Sequence, residues 1–193
     1  MTNYGNRGRT FEEFITFANK RYREQGAAVV WKVPTPFLPI RNGRGEIVSC
    51  KVEEKSCVDY LGRVGDRPIA IEAKHTKGDS IRWDAVQEHQ SAFLTDFCRG
   101  GNGISLVVVS FGLGRFYAVP WQAWKRGRDA WQEAQRKGLR KAEIVEVRAN
   151  DEEGNYKTWS TNGKASVKEN ELLDEWEITM GGKYGLDYLR RYI

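Results

Sequence analysis

Apolar and polar positions recur along this chain with three different periods, and each predicts a different kind of element. Phe11, Phe14, Ile15, Ala18 and Tyr22 fall at helical spacing, so residues 10–25 are expected to form an amphipathic helix. Thr10 would be its N-cap, with Glu13 reaching back, and Gly26 its stop. Residues 27–33 (AAVVWKV) read as a buried strand, ended by Pro34-Thr35-Pro36. Residues 57–61 and 68–73 read as two strands around the turn formers Gly62, Gly65 and Asp66, and residues 75–80 as a loop. Residues 83–98 carry Trp83, Val86, Phe93, Leu94 and Phe97 on a second helix. Residues 104–111 (ISLVVVSF) form the unbroken apolar run of a strand buried on both faces. A turn and a strand at 116–119 follow, and Pro120 opens a helix bearing Trp121, Trp124 and Trp131. Residues 144–147, 156–159 and 175–178 are expected to form a small antiparallel set, and 185–193 a short helix. Residues 37–56 stand outside this pattern. Two short β-like pieces there flank Asn42-Gly43-Arg44-Gly45, which signals a hairpin that protrudes.

The segment 57–74, CVDYLGRVGDRPIAIEAK, concentrates the chemistry. Strand side chains alternate, so Glu72 and Lys74 share one face while Ile69, Ile71 and Ala73 take the other. If the two strands pair across their turn, Asp59 arrives beside Glu72. Two carboxylates near an apolar core repel one another and cannot both ionise cheaply. A hard divalent cation with oxygen ligands resolves that conflict, which points to magnesium or manganese. The bland alternative is a surface hairpin carrying an ordinary ion pair.

Charge adds a partner class. The net charge is +5, but its distribution is uneven. Residues 1–44 carry eight Lys/Arg against three acids, and residues 121–141 seven against two. Residues 143–177 reverse this, with ten acids against four bases. Two basic zones opposite an acidic one suit a polyanion-binding face. No apolar run approaches membrane-spanning length, and the first residues begin no signal peptide, so no membrane association is expected. Cys50, Cys57 and Cys98 are odd in number and lack metal-ligand spacing, which fits a reducing cytoplasm.

Acid, about a dozen residues, then acid-x-lysine resembles the PD-(D/E)xK nuclease superfamily, with Val58 where the proline commonly stands. The order helix, strand, hairpin, strand, helix, buried strand is similar to the αβββαβ core of restriction-endonuclease-like folds, an α/β mixed sheet flanked by helices. A narrower resemblance rests on several collinear blocks. These are NRGRTFEE (6–13), K-x-PTP (32–36), VDYLG (58–62), IEAK-x-T (71–76), His89-Gln90, GISLVVVSF (103–111) and LDYL (186–189). In that order they resemble RecU, the family of Holliday junction resolvases of Gram-positive bacteria with relatives in phages. The resemblance is continuous over about residues 3–119 and returns at the C-terminus.

The resemblance implies one nuclease domain over residues 1–193, with 37–56 in the place of the family's stalk and 120–180 a divergent extension. It implies a Mg²⁺-dependent endonuclease, with Mn²⁺ able to substitute, acting as a homodimer on branched DNA in recombination and repair. Asp59 and Glu72 would bind the metal, and Lys74 would be the catalytic lysine. Glu12 resembles the family's additional acid, and Gln90 the helix-borne glutamine near the site. Arg7, Arg9, Arg41, Arg44, Lys51 and Lys55 are the candidate DNA contacts. The protrusion departs from the family in being short, in having Val52 near a commonly aromatic place, and in carrying Glu53-Glu54. Two alternatives stay open: a less selective nuclease acting on flaps or duplex, and a non-cleaving DNA-binding recombination accessory.

Overall fold

The structure, a computed structural model, describes residues 4–99, 101–138, 145–150, 156–161 and 164–193; of 4–7, 145–150 and 156–161 it describes the backbone alone. Helix α1 (Tyr4–Glu24) leads into strand β1 (Ala28–Lys32). Strands β2 (Phe37–Arg41) and β3 (Ile47–Val52) form a hairpin of their own. Strands β4 (Tyr60–Val64), β5 (Arg67–Thr76) and the short β6 (Ser80–Arg82) precede α2 (Glu88–Cys98), β7 (Ile104–Phe111), β8 (Arg115–Pro120) and α3 (Trp121–Arg136). The remaining named strands are β9 (Val145–Asn150), β10 (Tyr156–Thr161), β11 (Ser166–Lys168), β12 (Met180–Gly181) and β13 (Gly185–Leu186). The central sheet has the order β1-β4-β5-β7-β8. Only β5 and β7 run parallel, with α2 as their crossover. The core is therefore α1, β1, β4, β5, α2, β7, the αβββαβ order of restriction-endonuclease-like folds with a hairpin inserted after its first strand.

Each face of the sheet carries its own core. Ile69, Ile71, Leu106 and Val108 pack with Phe11, Ile15, Ala18 and Tyr22 of α1. Ala70, Val107 and Val109 pack instead with Leu94, Trp83, Trp121 and Trp124. This alternation explains why β7 is apolar at nearly every position: all eight of its residues are buried, four toward each layer. The second layer is built on indoles. Trp83 and Trp124 meet edge to face with centroids 5.2 Å apart, and Trp124 Nε1 donates to the Trp83 carbonyl at 3.2 Å. Gly127 on α3 makes room for them, since a Cβ there would lie 2.4 Å from Trp83 Cη2.

Several expected elements differ. Helix α1 starts at Tyr4, so Thr10 lies inside it rather than at its N-cap, and Glu12 is beyond the first turn. The extra turns hold polar residues and glycines, in which a hydrophobic period has nothing to register. Gly26 does end the helix, at φ +68°, with Ala27 N–H bonded to Tyr22 O at 2.9 Å. The turn of the β4–β5 hairpin is Gly65-Asp66, and Gly62 lies within β4 opposite Ile69. Residues 83–98 divide into a 3₁₀ turn (Trp83–Ala85) and α2. β9 and β10 pair as expected, but residues 175–178 do not join them: Ile178 N–H bonds to Phe116 O at 2.7 Å, at the outer edge of β8. Residues 185–193 form no helix. They are held to α1 by side chains: Tyr22 Oη donates to Asp187 Oδ1 at 2.8 Å and accepts Leu189 N–H at 3.1 Å, with Tyr188 and Leu189 buried.

Gly62 is a close-approach glycine. A Cβ there would meet the backbone of Val29 and Val30, 2.0 Å from Val29 O. Backbone cannot swing aside as a flexible side chain can. Gly62→Ala should therefore cost about 1–3 kcal/mol, as overpacking does. At about 2–4 °C per kcal/mol for a chain of this size, thermal melting should fall by several degrees; an unchanged melting temperature would show that β1 and β4 are not this closely apposed.

Candidate active site

The register of the β4–β5 hairpin builds the site. Tyr60 pairs with Ile71, and Val33 N–H continues the ladder by bonding to Asp59 O at 2.8 Å. Asp59, one residue before β4, is thereby brought against Glu72. Its Oδ2 accepts the Ala73 N–H at 2.8 Å. Glu72 has no solvent exposure. Its Oε1 accepts from Lys74 Nζ at 2.6 Å and from Gln90 Nε2 at 2.7 Å. Its Oε2 is buried with no hydrogen-bond partner. Gln90 sits in the first turn of α2, where its Oε1 accepts the Gln87 N–H at 2.9 Å and, more distantly, Lys74 Nζ at 3.4 Å. The helix start and the carboxylate are thus tied through one side chain.

Burial sets the electrostatics. It pushes the Glu72 carboxyl up to about 7, with the neighbouring Asp59 adding to the rise and Lys74 opposing it. Burial also raises Asp59, against the pull of the Ala73 N–H and Lys74. Two acids that resist ionising, one with an unsatisfied buried oxygen, form a donor set that fits a hard divalent cation. Among the described residues no group of three or more His, Cys, Asp or Glu converges to hold a metal. A cation here would take Asp59 and Glu72 from the protein and complete its shell elsewhere.

Of the predicted site residues, the structure brings Asp59, Glu72, Lys74 and Gln90 together. Glu12 borders the group without joining it. Its charge contributes to the rise at Asp59, but its Oε2 accepts from Lys32 Nζ at 2.5 Å. Lys32 is the residue missed in the sequence; the alternation of β1 carried the signal, since Lys32 shares the α1-facing side with Ala28 and Val30. Tyr60 fixes α1 from below, its hydroxyl donating to Glu12 O at 3.1 Å.

The candidate DNA contacts lie apart from this centre. Arg41, Arg44, Lys51 and Lys55 are all exposed on the β2–β3 hairpin or its stem. Arg41 Nη1 bonds to Gly45 O at 2.7 Å, and Lys55 Nζ to Gln87 Oε1 at 3.3 Å. Arg9 is exposed and pairs with Glu13 at 3.5 Å. The side chain of Arg7 falls outside the described residues. The basic zone at 121–141 presents less free charge than its count implies: Lys125 pairs with Asp129, Lys137 with Glu133, and Arg128 is buried against Glu88. Among the described residues no helix is long and apolar enough to cross a membrane.

The raised Glu72 carboxyl carries a pH dependence in the metal-free protein. The folded chain holds its proton up to about 7, whereas the unfolded chain releases it near 4.5. Between those values the folded state binds more protons, so stability falls as pH rises through the window and stays low above it. Asp59 acts in the same direction. Melting temperature in a chelator should accordingly drop from pH 5 to pH 8, and Glu72→Gln should flatten that slope. An equal slope in the variant would mean that Glu72 ionises freely.

Comparison with known proteins adds the family. A family model described as Recombination protein U, RecU, matches residues 6–153, past the point at which the resemblance in the sequence faded. A Holliday junction resolvase RecU of Geobacillus sp. (strain WCH70) is 36% identical over 115 residues, covering 56% of this chain and 57% of that protein. One from Staphylococcus saprophyticus is 28% identical over 155 residues, covering 76% and 72%. Archaeoglobus fulgidus Hjc, a Holliday junction resolvase, overlays with a TM-score of 0.39 at 16% identity, covering 61% of this chain and 75% of that one. The chain thus spans little more than half the length of the Geobacillus relative. With the RecU model matched over most of its length, at and around the carboxylate hairpin, the chain belongs to the RecU family.

Proposed function

We propose that this chain is a single nuclease domain that cuts four-way DNA junctions with the help of a divalent metal, Mg²⁺ with Mn²⁺ able to substitute, and that it works as a homodimer. The observation that carries the reading is the Asp59–Glu72 pair, Glu72 buried and Asp59 half-buried, with Lys74 and Gln90 on one of the Glu72 oxygens. The names of its relatives as junction resolvases support the substrate. Asp59 and Glu72 would hold the cation, which when bound polarises the scissile phosphate and lowers the pKa of a coordinated water. Gln90 fixes the orientation of Glu72 by holding Oε1, which leaves Oε2 for the metal. Lys74 spends one ammonium hydrogen on Glu72 and one weakly on Gln90. Its third is available to orient the attacking water and offset charge building on the phosphate. Glu12 serves as an accessory acid at the rim, turned from Lys32 when the site is engaged.

The β2–β3 hairpin supplies selectivity in this reading. Both of its strands are exposed throughout, and among the described residues it makes its strand pairs only within itself. Its basic residues can enter the open centre of a junction, which linear duplex does not offer. It also exposes Phe37, Leu38, Ile40, Ile47, Val48 and Val52. So many large apolar groups on a two-stranded ribbon favour burial against a second copy, which supports the homodimer. Glu53 and Glu54 at the stem favour the competing reading of a less selective nuclease, since acids there repel entering phosphates.

Two experiments test these proposals. On a labelled four-way junction beside a matched duplex, wild type should cut the junction only with Mg²⁺. Asp59→Asn, Glu72→Gln and Lys74→Ala should each lower the rate by orders of magnitude and keep junction affinity within a few-fold, because affinity comes mainly from dispersed phosphate contacts. A variant cutting within about tenfold of wild type would remove its residue from the catalytic set. Replacing residues 39–51 by a short Gly-Ser linker should leave the core folded and abolish the preference for junction over duplex at fixed salt. An unchanged affinity ratio in a folded protein would favour the less selective nuclease.

A further inference from the structure

The outer edge of the central sheet carries a feature that neither the fold nor the carboxylate site accounts for. Between α1 and β1 lies an open groove of about 460 Å³, whose lining includes Phe17, Lys20, Arg23, Trp31, Lys32 and Tyr60. Trp31 is 59% exposed and Phe17 55% exposed, although both are large aromatics adjoining the core. The Arg23 guanidinium stacks 4.4 Å above the Trp31 ring. An exposed indole beside an arginine plane is a surface on which a nucleobase stacks.

Position and charge favour that occupant. Trp31 stands two residues before Val33, whose N–H bonds to Asp59 O. Across the β1–β4 ladder Trp31 pairs with Leu61, two residues from Asp59, a strand rise of about 7 Å. The groove shares Lys32 with the rim of the site, where that lysine pairs with Glu12. Its lining holds Lys20, Arg23 and Lys32 against Glu13; Lys20 also pairs with Glu24 at 3.8 Å and Lys32 with Glu12. A second copy laid on this surface across a two-fold axis would bring two basic linings together. A nucleotide instead brings a ring for Trp31 and a phosphate for the bases.

We infer that this groove holds an unpaired nucleotide of the strand being cut, its base stacked on Trp31 and its phosphate met by Lys20 and Arg23. The inference rests on the nuclease reading for the position of the cut, but not for the binding itself. A site of this kind favours DNA that gives up a base pair near the scissile phosphate, as branch points do and continuous duplex resists. It is a source of structure selectivity separate from the hairpin.

The test uses full-length Asp59→Asn protein and a single-stranded oligonucleotide carrying 2-aminopurine at successive positions. Binding should quench the fluorophore. Trp31→Leu in that background should abolish the quenching and weaken binding about tenfold, whereas Trp31→Phe should keep both. Arg23→Gln should weaken binding a few-fold. In the active protein, Trp31→Leu should raise KM for the junction more than it lowers kcat. Undiminished quenching and affinity in Trp31→Leu, with an unchanged melting curve, would overturn the inference. So would conversion of a dimer to a monomer by Trp31→Leu in light scattering, which would assign the groove to a second copy. If Trp31→Leu fails to fold, Phe17→Ala and Arg23→Gln decide: unaltered binding in both rejects the subsite. Wild type that leaves the junction intact with Mg²⁺ would sink the nuclease reading alone, since Trp31-dependent quenching on single strands would still report the subsite.

Discussion

A carboxylate with no solvent exposure, one of its oxygens lacking any hydrogen bond, is costly unless something in its surroundings answers for it. Glu72 is in that position because the β4–β5 register gives it no other. Slipping the hairpin by one residue would turn Glu72 and Lys74 onto the α1 face and drive Ile69 and Ile71 toward α2. The apolar residues on both sides of β5 therefore enforce the placement of the acid between them. The parallel pairing of β5 with β7 then buries it, and Asp59 arrives from the facing strand to raise its pKa further. The same hydrophobic pattern that folds the sheet also creates the electrostatic problem that a metal would resolve.

Alternation made the site legible. Period-two side-chain geometry, applied to residues 57–74, was enough to bring Asp59, Glu72 and Lys74 together, because a short hairpin leaves few registers. Of the turn formers read in the sequence, Gly65 and Asp66 make the turn, while Gly62 is a close-approach residue within β4. Glu12 was harder to read. Its place on α1 followed from helical period, but the distance from a helix side chain to a strand site depends on packing that no local pattern encodes, and so does its diversion to Lys32. The C-terminal segment shows the same limit. Leu186 and Leu189 have helical spacing, yet what holds them is Tyr22, more than 160 residues earlier.

Charge counting was the less dependable guide. The excess of bases at 121–141 is real in composition, but much of it within the described residues is matched inside α3 or buried against α2. Exposed pairs of this kind add little stability, but each acid cancels its base's share of the long-range field. The contrast is with the β2–β3 hairpin, where Arg44 and Lys51 stand exposed on a ribbon with no layer behind it. Where a charge sits relative to packed structure therefore says more about a polyanion partner than how many charges a segment holds.

Gln90 connects these levels. Its Oε1 satisfies the Gln87 N–H, one of the donors a helix start leaves open, while its Nε2 holds the buried oxygen of Glu72. The amide uses its acceptor for the fold and its donor for the site, so neither can be released without disturbing the other. A carboxylate in this position would have no hydrogen to give Glu72 and would add a third negative charge to the pair. A lysine would have no acceptor for the helix. Glutamine answers both demands with one neutral group, which makes the start of α2 a rigid support for the carboxylate that the chemistry needs in place.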